Sequence, residues 1–265
     1  MSKIYFYNED CFKSMKRMQE KSYKVDLILT SPPYNTSRTS KTQKSIDTYN
    51  NRYDIHLDDM TDDEYAEWTV RLFKSFDNIL NENGVVLYNI SYGSENPNSM
   101  WKAVLSIIDK TNFMIADTIV WKKKSALPNN TSHNKLTRIT EFVFVICRKN
   151  EFKTFNANKQ VTSTNSKGQK YYENVFNFIE APNNDGSNKL NKATYSSELC
   201  EKLLNIYATK TSIVYDPFMG TGTTALACEK YGNESMVCIG SELSEAQVQF
   251  SKERIKEYKE NNKFV

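Results

Sequence analysis

Hydrophobic and polar positions follow two recurring patterns along the chain. Short apolar runs rich in β-branched and aromatic residues predict strands, and segments with apolar residues at every third or fourth position predict helices. The predicted strands are Lys3–Tyr7, Val25–Leu29, Val85–Ile90, Met114–Trp121, Glu141–Cys147, Ser212–Tyr215 and Met236–Gly240. The predicted helices are Cys11–Glu20, Asp62–Leu80, Glu198–Tyr207, Thr223–Lys230 and Ser244–Lys259.

The alternation of strands and helices predicts an α/β fold in which helices cover both faces of a mostly parallel sheet. Two of the helices begin with a capping box, formed by Thr61 with Glu64 and by Ser244 with Gln247. A chain of 265 residues is long enough for one large domain, and we expect residues 1–265 to form it. Residues 150–191 and 35–60 are polar and irregular, which in a compact domain is typical of functional loops.

Composition excludes several classes of protein. Apolar residues make up 39% of the chain, and no apolar run is long enough to span a membrane. Met1–Asp10 lacks the features of a signal peptide, so we expect a cytoplasmic protein. The five cysteines form no C-x-x-C pair and there are two histidines, so we expect neither a disulfide framework nor a metal site. The net charge of +3 allows nucleic-acid binding only if positive charge is clustered.

A glycine-rich turn follows the strand that ends at Tyr215. The sequence Asp216-Pro-Phe-Met-Gly-Thr-Gly222 leads into a helix, and Glu242 follows the next strand. The glycines allow a tight turn and close approach of a ligand, and the helix N-terminus favours an anionic group. A carboxylate at the position of Glu242 can accept hydrogen bonds from ribose hydroxyls. The pattern predicts a nucleoside cofactor, either NAD or S-adenosylmethionine. Asp216 favours the latter, because it would repel a pyrophosphate and attract the ammonium of a methionine group.

A second motif, Thr30-Ser-Pro-Pro-Tyr34, ends the strand Val25–Leu29. Two consecutive prolines hold the backbone extended and remove two N–H donors, which leaves carbonyl acceptors. Ser31 adds a hydroxyl oxygen, and Tyr34 adds an aromatic face on which a ring can stack. Because α/β folds bind ligands at the carboxyl ends of their strands, this set of groups is suited to an exocyclic amine on an aromatic ring.

Together the two motifs resemble those of the DNA amino-methyltransferases, which combine S-P-P-Y or D-P-P-Y with an F-x-G-x-G turn. The resemblance covers most of the chain. It implies a Rossmann-like, seven-stranded methyltransferase sheet and S-adenosylmethionine as cofactor. The proline motif precedes the glycine turn, which resembles the circular order of the beta group of this family. In that order residues 150–191 occupy the target-recognition position, and residues 35–60 form a loop that faces DNA.

The resemblance also implies functional residues. The catalytic motif comprises Ser31, Pro32, Pro33 and Tyr34. The cofactor-binding positions are Asp10, Cys11, Thr30, Thr194, Asp216, Phe218, Gly220, Gly222, Thr223 and Glu242. Asp10 corresponds to an acid that binds the adenine amine of the cofactor, and it is also a candidate helix N-cap. The basic residues Arg38, Lys122, Lys123, Lys124, Lys135 and Arg138 are candidates for contacts with DNA phosphates, or belong to an ordinary solvated surface.

The implied reaction is methylation of a base amine by S-adenosylmethionine. Acceptors at Ser31 Oγ and at the Pro32 carbonyl would hold both amine hydrogens, so that the nitrogen lone pair points at the methyl group. The base must leave the duplex and can stack on Tyr34. Family members with serine before Pro-Pro generally methylate cytosine N4, and those with an acid generally methylate adenine N6. Cytosine C5 methylation requires a cysteine nucleophile, and the Pro-Cys pair typical of that chemistry is absent from the sequence.

We therefore expect a site-specific cytosine-N4 DNA methyltransferase acting on double-stranded DNA. The alternatives are an adenine-N6 enzyme of the same fold, an RNA or protein amide methyltransferase, an NAD-dependent oxidoreductase and an inactive DNA-binding module. The partners that the resemblance allows are a cognate restriction endonuclease, a companion methyltransferase and a second copy of the chain.

Overall fold

The computed structural model describes residues 2–35, 60–93, 96–126, 128–184 and 195–262. The strands are β1 (Lys3–Asn8), β2 (Val25–Thr30), β3 (Leu80–Ile90), β4 (Phe113–Lys123), β5 (Thr140–Arg148), β6 (Val161–Thr164), β7 (Lys170–Tyr172), β8 (Phe178–Ala181), β9 (Ile213–Asp216) and β10 (Val237–Glu242). The helices are α1 (Cys11–Glu20), α2 (Asp62–Ile79), α3 (Asn98–Lys110), α4 (Ser197–Tyr207), α5 (Thr223–Tyr231) and α6 (Glu245–Asn261), and Lys149–Glu151 form a 3₁₀ turn.

Eight strands form one sheet in the order β1-β10-β9-β2-β3-β5-β4-β8. Of these eight, β5 alone runs antiparallel to its neighbours, so the predicted mostly parallel α/β sheet is confirmed. All seven predicted strands belong to it. The eighth, β8, lies at one edge, and it was not predicted because its four residues lie in a polar stretch. Strands β9 and β10 lie between β1 and β2, whereas the circular relationship to other methyltransferases stays a prediction.

Helices cover both faces of the sheet because its central strands alternate their apolar side chains between two cores. In β2, Leu27 and Leu29 pack with helices α4, α5 and α6, while Ile28 packs with α1, α2 and α3. Each of the five predicted helices is present, with ends within two residues of the prediction. The sequence analysis missed α3, whose start at Pro97 has no side-chain cap. The capping box of Thr61 and Glu64 is confirmed, and Ser244 accepts from the N–H of Gln247.

The parallel strands bring four chain segments to one edge of the sheet. Asn8 at the end of β1 pairs with Glu242 at the end of β10, and Gly240 pairs with Asp216 at the end of β9. Strand β2 pairs with β9 on its other side and leads into the proline motif. The carboxyl ends of β1, β10, β9 and β2 therefore carry the predicted cofactor and catalytic residues side by side.

Residues 150–184, the described part of the predicted recognition segment, are less irregular than the sequence suggests. They contain a two-stranded antiparallel hairpin, β6–β7, followed by β8. Tyr171, Tyr172 and Phe176 are exposed on and just after this hairpin. The boundaries of a recognition segment and of a DNA-facing loop stay predictions.

Three broader features complete the description. Within the described ranges, none of the helices has the length and apolar character needed to cross a membrane. All five cysteines are buried free thiols. In the same part of the chain, His, Cys, Asp and Glu side chains form no group of three or more that could hold a metal ion.

Candidate active site

Asp216, at the end of β9, is fully buried and accepts four hydrogen bonds. Its Oδ1 accepts from Thr30 Oγ1 at 2.7 Å and from the N–H of Phe218 at 3.0 Å. Its Oδ2 accepts from Thr224 Oγ1 at 2.5 Å and from the Tyr195 hydroxyl at 3.4 Å. Burial raises the pKa of Asp216 to about 6, although the hydrogen bonds act in the opposite direction.

Through these contacts Asp216 stabilises the local structure around the glycine turn. A carboxylate has about four acceptor positions, and four donors of the chain itself occupy them here. Through Thr30 the network joins strand β2, which leads into the proline motif, to the glycine turn. The predicted contact between Asp216 and an ammonium group stays a prediction, and it requires this network to open.

The glycine turn is held in shape by Glu242. Gly220 and Gly222 have φ values of +53° and +81°, in the left-handed region that favours glycine. Glu242 Oε2 accepts from the N–H of Gly220 at 3.0 Å, and Oε1 accepts from the N–H of Ser244 at 2.9 Å. Thr221 Oγ1 is buried and has no hydrogen-bond partner among the described residues. The turn thus combines a fixed carboxylate with a buried hydroxyl that a ligand can satisfy.

Helix α6 supports the same turn from behind. Ser251 Oγ donates to the Gly220 carbonyl at 2.9 Å. A Cβ atom on Gly222 would lie 2.9 Å from the Cβ of Ser251, so only glycine fits there. Arg254 Nη1 lies 3.5 Å from the hydroxyl of Thr223, the first residue of α5. The sequence analysis predicted the turn but not this support.

Asp10 and Cys11 lie where β1 passes into α1. Asp10 is the N-cap of α1, and its Oδ1 accepts from the N–H of Phe12 at 2.9 Å. It lies two residues beyond Asn8, whose strand partner is Glu242. Cys11 is buried, and burial raises the pKa of its thiol. Asp10 and Glu242 therefore lie at the carboxyl ends of two adjacent strands, and their role in binding a nucleoside stays a prediction.

The proline motif belongs to a hydrogen-bonded network of side chains. Ser31 Oγ lies 2.9 Å from the Tyr34 hydroxyl, which donates to Glu141 Oε2 at 3.1 Å. Asn89 Nδ2 donates to the Tyr34 oxygen and to Glu141 Oε2, at 3.0 Å each. Lys123 Nζ lies 2.5 Å from Glu141 Oε1. Residues from the ends of β2, β3, β4 and β5 thus meet around the motif.

An aromatic bridge connects the proline motif to the glycine turn. The Tyr65 hydroxyl donates to the carbonyl of Pro33 at 2.7 Å. The Tyr65 ring stacks on Trp68 with centroids 5.7 Å apart, and Trp68 contacts Phe218 at the same separation. Pro32 and Pro33 are buried, while the flanking Ser31 and Tyr34 are half-buried. The motif is therefore held on one side and accessible on the other.

The three consecutive lysines proposed as phosphate contacts each have an acidic partner. Lys122 pairs with Glu180 at 2.5 Å and Lys124 with Glu198 at 3.4 Å. Lys123 is directed inward to Glu141, with 23% of its side chain exposed. Lys123 therefore pairs with Glu141 beside the proline motif, and contacts of the three lysines with DNA phosphates stay predictions.

The remaining candidates differ in their positions. The Arg138 guanidinium lies over the Tyr92 ring at 5.0 Å and donates to the Tyr92 carbonyl, while Lys135 is exposed. Arg38 and Thr194 lie outside the described residues.

Sequence reasoning missed several residues of the site. Asn89 and Glu141 carried a weak signal, as a polar residue within an apolar strand and an acid at the start of one. Tyr195 directly follows the candidate Thr194 in the sequence, whereas Ser251 and Arg254 carried no signal, since only packing brings them to the glycine turn.

Comparison with known proteins agrees with this geometry. The model of the DNA methylase family N6_N4_Mtase matches residues 25–253, which include both motifs. The chain therefore belongs to this family of DNA methylases.

Individual relatives match over most of their length. The orphan methyltransferase M.BamHII of Bacillus amyloliquefaciens is 26% identical over 88% of this chain and 89% of its own. The solved structure of the PvuII DNA methyltransferase (cytosine-N4-specific) has a TM-score of 0.69 at 18% identity, covering 96% of this chain and 86% of that one. The complex of M1.HpyAVI with S-adenosylmethionine has a TM-score of 0.61 at 24% identity, covering 95% and 99%.

Proposed function

We propose that this DNA methyltransferase transfers a methyl group from S-adenosylmethionine to the N4 amine of a cytosine turned out of double-stranded DNA. The observation that carries the proposal is the position of Ser31. Ser31 follows β2, which pairs with β9, the strand that leads into the glycine turn, and its hydroxyl is hydrogen-bonded to Tyr34 at 2.9 Å. An acceptor and an aromatic face are thereby held next to the cofactor side of the sheet.

The residues present fit S-adenosylmethionine, the methyl donor, which supplies a methyl group on a sulfonium. Glu242 is suited to the ribose hydroxyls, because its carboxylate is fixed at the turn by two backbone N–H groups. Asp10, after the adjacent strand, is suited to the adenine amine. The unpartnered hydroxyl of Thr221 supports a ligand at this turn, because a buried hydroxyl without a hydrogen bond costs about 1–3 kcal/mol.

The proline motif is suited to the amine of the target base. Ser31 Oγ and the Pro32 carbonyl are acceptors for the two amine hydrogens, and the Tyr34 ring offers a stacking surface worth about 1–3 kcal/mol. That contact offsets part of the cost of extruding the base, which is a few kcal/mol. Catalysis by this arrangement relies on orientation and electrostatics, without a covalent intermediate.

Adenine N6 is the alternative target. The matching family model includes both specificities in its name, so the choice of cytosine rests on serine before Pro-Pro in the family resemblance. An adenine amine is chemically similar, and Ser31 can accept from either.

Recognition of DNA is assigned to residues 150–191 and 35–60. The exposed aromatic side chains of Tyr171, Tyr172 and Phe176 support this assignment for the former, because such groups stack on bases or pack against sugars. A restriction endonuclease or companion methyltransferase, a homodimer and a cytoplasmic location stay predictions.

The test is nucleoside mass spectrometry of unmethylated DNA of varied sequence after incubation with the protein and methyl-labelled S-adenosylmethionine. Labelled N4-methylcytosine is expected. Labelled N6-methyladenine would keep the fold and site but overturn the base assignment, and no label in either base would overturn the proposal.

Tyr34→Ala is the matching variant. It removes the stacking surface, so we expect turnover to fall at least about tenfold while S-adenosylmethionine binding, measured by calorimetry, is retained. Tyr23→Ala is the control, because Tyr23 is an exposed tyrosine just before β2, at the opposite edge of the sheet. Unchanged methylation by Tyr34→Ala would contradict the stacking role.

A further inference from the structure

The direction of the hydrogen bonds around Tyr34 follows from the number of protons available. A tyrosine hydroxyl has one proton, and the Tyr34 hydroxyl donates it to Glu141 Oε2 at 3.1 Å. Asn89 Nδ2 can only donate, and it lies 3.0 Å from the same hydroxyl oxygen. In the 2.9 Å contact between Ser31 and Tyr34, the serine must therefore be the donor.

This direction leaves the lone pairs of Ser31 Oγ available to a ligand. If Tyr34 donated to Ser31 instead, the proton of the Ser31 hydroxyl would point towards the amine. Ser31 could then not accept a hydrogen bond from that amine. The series of hydrogen bonds from Ser31 to Tyr34 and from Tyr34 to Glu141 thus orients the Ser31 hydroxyl so that it can accept a hydrogen bond from the target amine. Methylation of the amine needs this acceptor.

Glu141, the last residue of this series of hydrogen bonds, is largely shielded from solvent. Its side chain is 12% exposed, and the Lys123 ammonium lies 2.5 Å from Oε1. The other oxygen, Oε2, receives the hydrogen bonds from Tyr34 and Asn89. Asn89 Oδ1 is buried and has no partner among the described residues, so the polar network around Glu141 is incomplete without a ligand or water.

We propose that Ser31, Tyr34 and Glu141 form a proton relay that removes a proton from the target amine. The proposal rests on the proposed function. Glu141 does not touch the base; it acts through Tyr34 as the terminal proton acceptor, and Asn89 and Lys123 position it.

The amine nitrogen uses its lone pair to form a bond to the methyl carbon, the sulfur–carbon bond of the donor breaks, and the sulfur keeps that electron pair. One proton of the now cationic nitrogen passes to Ser31 Oγ, the Ser31 proton passes to Tyr34, and the Tyr34 proton passes to Glu141 Oε2. Serine and tyrosine end neutral and unchanged, Glu141 becomes a neutral carboxylic acid, and solvent later removes its proton.

The relay raises the rate by making Ser31 a stronger acceptor in the transition state, when positive charge develops on the amine. General-base assistance of this kind is worth about 10²–10⁴-fold. Because the relay is indirect, we expect the lower end, about 10²-fold, for removal of one member.

Two variants remove one member of the relay each. Tyr34→Phe keeps the stacking ring but loses the hydroxyl, and Glu141→Gln keeps the shape but loses the charge. The control is Glu151→Gln, because Glu151 is similarly buried and pairs with Arg148 at 3.2 Å, just beyond the other end of β5. Thermal unfolding and calorimetric binding of S-adenosylmethionine show whether each protein is folded.

The assay is the single-turnover rate of methylation of unmethylated DNA, with S-adenosylmethionine and DNA saturating. Tyr34→Phe and Glu141→Gln are each expected to react about 10²-fold more slowly with unchanged S-adenosylmethionine affinity, and the control at the wild-type rate. The double variant is expected to be about as slow as either single variant, instead of the ~10⁴-fold loss that independent effects would give.

A measurement on the free protein separates the network from the reaction. The Tyr34 hydroxyl proton, bound to a carboxylate, is expected to give a downfield proton resonance that is absent in Tyr34→Phe and shifts upfield in Glu141→Gln. An unshifted resonance in Glu141→Gln would overturn the relay.

The remaining outcomes are also distinct. Wild-type rates in either relay variant, or multiplicative losses in the double variant, would overturn the relay and leave the proposed function standing. Absence of any methylated base with the wild-type protein would overturn the proposed function, and the relay would fall with it.

Discussion

Replacement of Asp216 by asparagine tests whether burial governs the charge of this carboxyl group. Burial raises its pKa from 3.8 to about 6, although donors surround it. The folded protein thus holds the proton more tightly than the unfolded chain does. Such a group adds to the free energy of unfolding at pH values below its pKa in the unfolded chain. That contribution is lost as the pH rises through its pKa in the folded protein. The whole loss is about 3 kcal/mol, since each pKa unit corresponds to about 1.4 kcal/mol.

Part of this loss in the free energy of unfolding occurs in a pH range that is accessible to denaturation experiments. Between pH 5 and pH 7.5 the Asp216 linkage should lower the free energy of unfolding by about 1.4 kcal/mol, from a folded pKa of about 6. The asparagine side chain in the Asp216→Asn variant does not titrate, so the variant lacks this contribution. Lost hydrogen bonds shift the stability of the variant by an amount that is constant over this range. The free energy of unfolding of the variant minus that of the wild type should therefore rise by about 1.4 kcal/mol from pH 5 to pH 7.5.

Urea denaturation at a series of pH values measures this difference directly. Asp109→Asn, at an exposed residue in the last turn of α3, is the control for the loss of a surface charge. A difference that stays constant with pH would refute the claim that burial raises the pKa of Asp216. A difference of the opposite sign would mean that the four hydrogen bonds outweigh burial.

Two further predictions concern the supports of the site. Gly222→Ala combines a φ of +81° with a Cβ contact of 2.9 Å to Ser251, whereas Gly168→Ala has a similar φ of +78° and nothing within 4 Å. We expect Gly168→Ala to cost about 1–2 kcal/mol and Gly222→Ala clearly more, with weaker S-adenosylmethionine binding. Equal losses of unfolding free energy in urea denaturation would contradict the predicted clash with Ser251. Tyr65→Phe removes the 2.7 Å hydrogen bond to the Pro33 carbonyl, so it should lower the free energy of unfolding by about 1–3 kcal/mol and slow methylation. If neither value changed, the proposed contribution of this hydrogen bond would be refuted.

The secondary structure and the two motifs could be predicted because their determinants are local. Helix α1 has the predicted ends, since its N-cap and its apolar spacing are both contained in a short stretch of chain. The proline motif and the glycine turn have special backbone requirements that few residue types meet. Helix α3 was missed because no side chain caps its start, and β8 because it is short and polar-flanked.

The chemistry of the site depended on contacts that sequence spacing does not encode. Glu141 is 107 residues from Tyr34 along the chain, and Asn89 is 55 residues from it. Lys123 belongs to a run of lysines that resembles a phosphate-binding patch, yet the antiparallel pairing of β4 with β5 places it beside Glu141.

The sequence by itself determined the class of fold, seven strands of the main sheet, five of the helices and the two motifs that indicated a DNA methylase. The tertiary structure decided which charges are paired and which side chains surround Tyr34. It also decided that the carboxyl group of Asp216 is buried and hydrogen-bonded instead of exposed. The physical reason is that strand and helix formation depends on neighbours along the chain, whereas hydrogen bonding and ion pairing depend on which strand ends become adjacent when the sheet assembles.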